Sequence, residues 1–162
     1  MISLQVNYSD QEVLNGEKKL FLAGPTPRSI EIETWRKEAV GLLEELNFDG
    51  IVYVPEKEID DRTFNYDNQV LWEREALHNA DVIVFWFARY LPHMPAFTSN
   101  VEFGYWLAKD SSKVIYGRPN TAEKMKYLDW LYQTETGEYP IDNLSDLLAE
   151  AIKKTKHKEK VK

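Results

Sequence analysis

A chain of 162 residues with 20 Lys and Arg against 27 Asp and Glu carries a formal net charge of −7. That balance argues against a nucleic-acid backbone or an anionic membrane surface as the main partner. The chain is 43% hydrophobic and has no Cys, so one globular domain is expected, and disulfides, thiolate metal sites and Cys nucleophiles are excluded.

No apolar run approaches the roughly 20 residues needed to span a bilayer. The start MISLQVNYSDQEV lacks the basic-then-apolar order of a secretory leader, and a cytoplasmic protein is the expectation. Residues 1–18 read as an arm or an extra strand. Lys19–Ala23 (KLFLA) is a short apolar strand stopped by Gly24-Pro25. From about Glu31 to Leu46, Trp35, Ala39, Leu42, Leu43 and Leu46 share one helical face. Gly50–Val54 is a second strand, stopped by Pro55. Residues 56–66 read as a loop, and Asp67–Asn79 as a second helix. Asp81–Phe87 (DVIVFWF) is apolar on both faces, the pattern of a central parallel strand. A third helix spans Asn100–Lys109, and Lys113–Tyr116 is a fourth strand. Helices near Ala122–Gln133 and Asn143–Thr155 follow, and residues 156–162 form a basic tail. Strands alternating with amphipathic helices predict an α/β layered fold with a parallel sheet.

In such a sheet the ligand crevice lies beyond the carboxyl ends of the strands. Those ends carry Gly24-Pro25-Thr26-Pro27-Arg28, Pro55-Glu56, the Ala88–Ser99 segment and Gly117-Arg118-Pro119. None matches a dinucleotide or Walker-type phosphate loop. Gly24 permits close approach to a ligand, Thr26 and Ser29 offer hydroxyls, and Arg28 offers a fork for an anion. Trp86, Phe87, Met94 and Phe97 are either a ring-stacking wall or core, and an aromatic share of 13% with five Trp hints at such a pocket.

Glu102 is the one charge in VEFGYWLA, a run apolar round nearly its whole circumference and so expected to be buried. With Thr98 or Ser99 as N-cap it falls in the first turn, where the helix end favours its ionised form. A poorly solvated carboxylate over the crevice suits a nucleophile. Glu73 interrupts the apolar arc of Trp72, Ala76, Leu77 and Ala80; burial should raise its pKa, as a proton donor requires. Two inward carboxyls, one anionic and one protonated, fit glycosidic-bond cleavage. A capping or ion-paired role is the alternative for each. His78, His93 and His157 lack metal-like spacing and read as surface residues, and Asp81 as a residue that orders a neighbouring backbone.

At these residues the chain resembles the nucleoside 2-deoxyribosyltransferase family and its nucleotide N-glycosidase relatives. The likeness is carried by KLFLAGPTPRS, IVYVPE, WEREALHNADVIVFW, MPAFTSNVEFGYW and KVIYGRP, in the family's order from residue 19 to about 119. Glu102-Phe103-Gly104-Tyr105 matches the start of the nucleophile helix. Glu73 stands eight positions before Asp81, at the place of the family's second acid. The resemblance implies a flavodoxin-like doubly wound sheet of about five strands and a domain over residues 19–155. Glu102 would attack C1′ of a ribosyl or 2-deoxyribosyl unit while Glu73 helps to protonate the leaving base. Gly24, Pro25, Thr26, Arg28, Glu56, Trp86, Met94, Thr98, Ser99 and Asn100 are the implied substrate contacts. No metal or organic cofactor is implied, and a homo-oligomer whose neighbouring subunit completes the site is.

The chain departs from the better-known members at Ala96, where they carry Asp or Ser. Thr98-Ser99-Asn100 replaces Gly-x-Gly, and Glu73 replaces the commoner Asp. These departures keep two other readings open: a catalytically silent nucleotide-binding module, and a regulatory protein with structural carboxylates. Between transfer and hydrolysis the sequence is silent.

Overall fold

The computed structural model describes residues 3–59, 61, 63, 65–89 and 94–161, the last three in backbone only. His93 and the start of the apolar Leu91–Phe97 loop lie outside the described residues.

Five strands form one sheet in the order β1(Gln5–Tyr8)-β3(Ile51–Val54)-β2(Lys19–Ala23)-β4(Val82–Trp86)-β5(Val114–Gly117), every pair parallel. The N-terminal arm thus supplies a strand, registered with Gln5 beside Ile51. Alternate residues along each strand face opposite sides. Leu20, Leu22, Val52, Val54, Val82, Val84 and Ile115 pack under α1(Trp35–Glu45) and α5(Leu144–Val161). Phe21, Ala23, Ile51, Tyr53, Ile83, Phe85, Val114 and Tyr116 pack under α2(Tyr66–Asn79), α3(Phe97–Asp110) and α4(Lys126–Thr136). The result is the doubly wound, flavodoxin-like α/β sandwich the sequence predicts.

Chain direction explains the two layers. From β2 the chain steps one way to β3 through α1, then reverses past β2 to β4 through α2 and on to β5 through α3. Right-handed crossovers put helices on opposite faces when the direction reverses. The reversal point between β2 and β4 opens a crevice at their carboxyl ends.

Helix ends differ from expectation where side-chain caps decide them. Thr34 caps α1 by accepting from the Arg36 amide, so the helix starts at Trp35 rather than near Glu31. The α5 helix continues to Val161 rather than ending at Thr155. The largest shift is in α3, which starts at Phe97 behind Ala96, a left-handed residue at φ 59° with no side-chain cap. Neither Thr98 nor Ser99 is the N-cap, and Glu102 sits in the second turn.

All-round burial of α3 is also corrected. Ser99, Phe103, Trp106 and Leu107 face inward, while Phe97, Val101 and Tyr105 form an exposed stripe. The aromatic surplus mainly builds core: Phe85, Phe87, Phe103, Tyr116 and Tyr132 pack with centroids 4.9–6.3 Å apart. Trp86 and Met94 are buried too. Asp81 orders its neighbour as expected, accepting from the Lys19 amide at 2.9 Å.

Gly24, at the exit of β2, has φ +148°. A Cβ there would overlap the Trp86 carbonyl oxygen across the reversal point and stand 3.1 Å from the Trp35 ring. Gly24→Ala is expected to cost about 2–4 kcal/mol, through backbone strain plus overlap. Denaturant unfolding measures this, with a lowered midpoint and an unchanged slope.

Candidate active site

The reversal-point crevice holds a pocket of about 330 Å³. Its floor is Phe21, Ala23 and Gly24 of β2 and its exit. Pro25, Thr26 and Arg28 make one rim, and the Pro95–Ser99 start of α3 makes another. Glu73 from α2 and Glu102 from α3 both enter it, so two carboxyls nearly thirty residues apart in sequence meet in one cavity. A neighbouring lobe of about 480 Å³ shares Thr26, Arg28, Pro55, Glu73 and Thr98 and adds Glu56, Lys57 and Gln69. A larger cleft, about 570 Å³, lies on the far side of Arg36 and Glu56 and contains neither Glu73 nor Glu102.

The two carboxyls are perturbed in the same direction. Removal from water pushes Glu102 up to about 8; the Glu73 charge adds to this and the Arg36 charge opposes it. None of these influences is a hydrogen bond. Glu73 is also raised by burial, against a hydrogen bond from Gln69 and the Arg36 charge. Gln69 Nε2 donates to Glu73 Oε1 at 3.0 Å and to the Pro55 carbonyl at 3.1 Å, tying the carboxyl to the end of β3.

Like charges sharing a poorly hydrated pocket disfavour the doubly ionised state, so the two carboxyls titrate as a coupled pair. The expectation was an anionic Glu102 and a protonated Glu73. Burial pushes both carboxyls toward the protonated form, and the Glu73 charge presses Glu102 further the same way. The early start of α3 leaves Glu102 in the second turn, where the stabilising effect of the helix end has largely faded.

Arg36 was not anticipated. Its guanidinium is 2% exposed and bonds the carbonyls of Leu22 and Gly24, Thr26 Oγ1 and Glu56 Oε2. Its signal was present: an Arg beside Trp35 at the edge of an apolar helical stripe. Gln69 was also missed, although its position four residues before Glu73 is the spacing of helical neighbours.

Of the remaining anticipated residues, Gly24, Pro25, Thr26, Arg28, Thr98 and Ser99 line the pocket, and Glu56 lines the adjoining lobe while ion-paired with Arg36 at 2.9 Å. Trp86, Met94 and Asn100 are not brought there. Trp86 packs in the layer under α1 and α5. Met94 is buried away from the cavity walls, and Asn100 accepts from Arg89 instead. Pocket aromatics are Phe21, Tyr66 and Phe97. His78 bonds the Arg74 carbonyl on the surface. Among the described residues no group of three or more His, Asp or Glu is placed to hold a metal ion. Among them, too, no helix is long and apolar enough to cross a membrane.

No curated protein matches the chain. It is similar to the crystal structure of a conserved protein from Enterococcus faecalis V583, at 15% identity and a TM-score of 0.48, over 88% of this chain and 99% of that one. The family described as nucleoside 2-deoxyribosyltransferase like matches residues 17–120, which hold strands β2 to β5, both carboxyls and the whole pocket lining. The chain belongs to the nucleoside 2-deoxyribosyltransferase-like family.

Proposed function

We propose that the protein breaks the N-glycosidic bond of a nucleoside or nucleotide, (deoxy)ribosyl in either case, through a covalent glycosyl–Glu102 intermediate. The observation that supports it most directly is the convergence of Glu73 and Glu102 in a pocket at the reversal point of the sheet. A Glu102 carboxylate oxygen attacks C1′, the C1′–N bond breaks, and its electron pair leaves on the base nitrogen. The proton for that nitrogen comes from Glu73. In the second half, water or the N–H of an acceptor base attacks C1′, gives its proton to Glu73, and frees Glu102.

One proton per pair is the stoichiometry this cycle needs. The reacting microstate has the proton on Glu73 and the charge on Glu102, and the Arg36 charge stabilises that anionic nucleophile. A substrate phosphate would find Arg28 on one rim and the Thr98 hydroxyl and uncapped start of α3 on the other. The test is chromatography of a nucleoside and nucleotide panel with and without a free acceptor base. Released base, or exchanged base when the acceptor is present, is the expected outcome. Intact substrate across the whole panel over long incubation, despite tight binding, would leave the silent-module reading instead.

The exposed stripe of α3 favours a second copy as partner. Phe97 is 68% and Val101 73% exposed, and Phe97 also lines the pocket, as do the exposed Tyr66 and Val70 of α2. A protomer seated on this face would bury apolar surface and roof the cavity. Val101→Glu is expected to shift the sedimenting species to monomer and raise KM; an unchanged oligomer with unchanged KM refutes the assignment.

A further inference from the structure

The geometry points to Arg36 as a positioning residue for this reaction: it clamps the Gly24–Thr26 rim and supplies the standing positive charge behind the Glu73–Glu102 pair. The inference rests on the reading of those two carboxyls as the reacting groups. Four of the five N–H donors of the guanidinium are used. Nε bonds the Leu22 carbonyl at 2.9 Å, Nη2 the Gly24 carbonyl at 2.7 Å, and Nη1 both Thr26 Oγ1 at 2.8 Å and Glu56 Oε2 at 2.9 Å. The Trp35 ring lies 5.0 Å away, and the Trp35 indole N–H holds the Pro25 carbonyl at 2.9 Å. Every residue from Gly24 to Thr26 is therefore tied to the first turn of α1, although that segment has no regular structure of its own.

The groups that face Arg36 come from each packed element. Glu56 stands at the end of β3, with Thr34 Oγ1 donating to its Oε2 at 2.6 Å. Glu73 comes from α2 and Glu102 from α3, and the Arg36 charge favours the anionic form of both. Arg28 shares the pocket, and Lys37, Lys57 and Glu33 line the cleft behind it. Arg36 and Glu56 are 2% and 8% exposed. A buried ion pair of this kind is weak evidence for stability, because desolvation offsets its attraction. A site role accounts for its place between the two clefts. Lys would keep the charge and lose the fork, since it offers a point charge rather than a rigid set of donors.

Two variants separate these roles. Arg36→Lys is expected to raise KM about tenfold, from a loosened rim, while the acid limb of the kcat–pH profile stays where it was. The double variant R36M/E56Q removes the charge without stranding the Glu56 carboxylate. It is expected to move the acid limb upward by about one pH unit, so that kcat falls about tenfold at pH 6 and recovers toward pH 9.

Carbon NMR of labelled glutamate, assigned with Glu102→Gln and Glu73→Gln, reads the same shift without any turnover. An unmoved carboxyl midpoint in the double variant, or a loss of rate that is equal at all pH values, overturns the electrostatic role. An Arg36→Lys enzyme with wild-type KM overturns the clamp, and this variant decides the matter if the double variant does not fold. Should Glu102→Gln keep wild-type base release, the reading of the site fails. Should Glu102→Gln be inert while the midpoint stays fixed in R36M/E56Q, only the inference on Arg36 fails.

Discussion

Glu102→Gln is expected to lower base release by about a thousandfold or more while leaving the fold intact. Glutamine keeps the shape of the side chain but offers no oxygen that can bond C1′ and later leave it, so both half-reactions are lost together. Folding is spared because, among the described residues, the Glu102 carboxyl makes no hydrogen bond that supports the helix, and its neighbours Phe103, Trp106 and Leu107 carry the packing of α3. Near-ultraviolet circular dichroism should overlay the two proteins. Substrate binding should persist, since Arg28 and Thr98 are untouched. Single-turnover assays with trapping at acid pH should find a protein-bound sugar in wild type and none in the variant. Full turnover by a folded Glu102→Gln protein would remove the covalent mechanism altogether.

The second large effect is on stability as a function of pH. The folded-state pKa of Glu102 is about 8, against roughly 4.3 for Glu in an unfolded chain. The native state therefore holds this proton more tightly than the unfolded state does. Its stabilising contribution is complete below about pH 4.3 and is lost as pH rises through 8. Glu73, also raised, adds in the same sense.

Wild-type Tm should accordingly fall between about pH 5 and 8.5. Glu102→Gln has no proton to lose there and should show a flatter profile. At pH 8.5 it should be more stable than wild type by on the order of 2 kcal/mol. Differential scanning calorimetry across that range checks the sign, and parallel profiles would mean that the Glu102 carboxylate is solvated. A residue that is essential for turnover yet costs stability is the pattern expected of a group held for chemistry.

The legible parts of this protein were those that depend on local pattern. Alternation and apolar runs located β2 to β5 because buried parallel strands must be apolar on both faces. Glu73 stood out because a carboxyl in a row of Trp, Ala and Leu contradicts its helix. Glu102 stood out as the lone charge of an apolar run.

What was not legible depended on contacts distant in sequence or on irregular backbone. The start of α3 rests on a left-handed Ala96, which no capping side chain announces. That single turn moves Glu102 out of the first turn of its helix. Trp86 and Met94 read as pocket walls because their place at a strand exit is visible in sequence, but the side of the sheet they face is not. Arg36 stands in sequence beside Trp35 at the edge of an apolar helical stripe, and only the folded loop shows that four acceptors surround it.

The span that betrays kinship and the span able to stand alone are different pieces of this chain. Family likeness runs from residue 17 to 120, yet Leu144, Leu147, Leu148, Ala151 and Ile152 of α5 share with α1 the cover of one side of the sheet. Outside the likeness, too, β1 shields the outer margin of β3. A fragment cut to the recognisable region would keep every pocket residue and expose a bare apolar slab together with an open strand margin, an invitation to aggregate. The amino- and carboxyl-terminal additions are thus scaffolding that the recognisable region cannot shed.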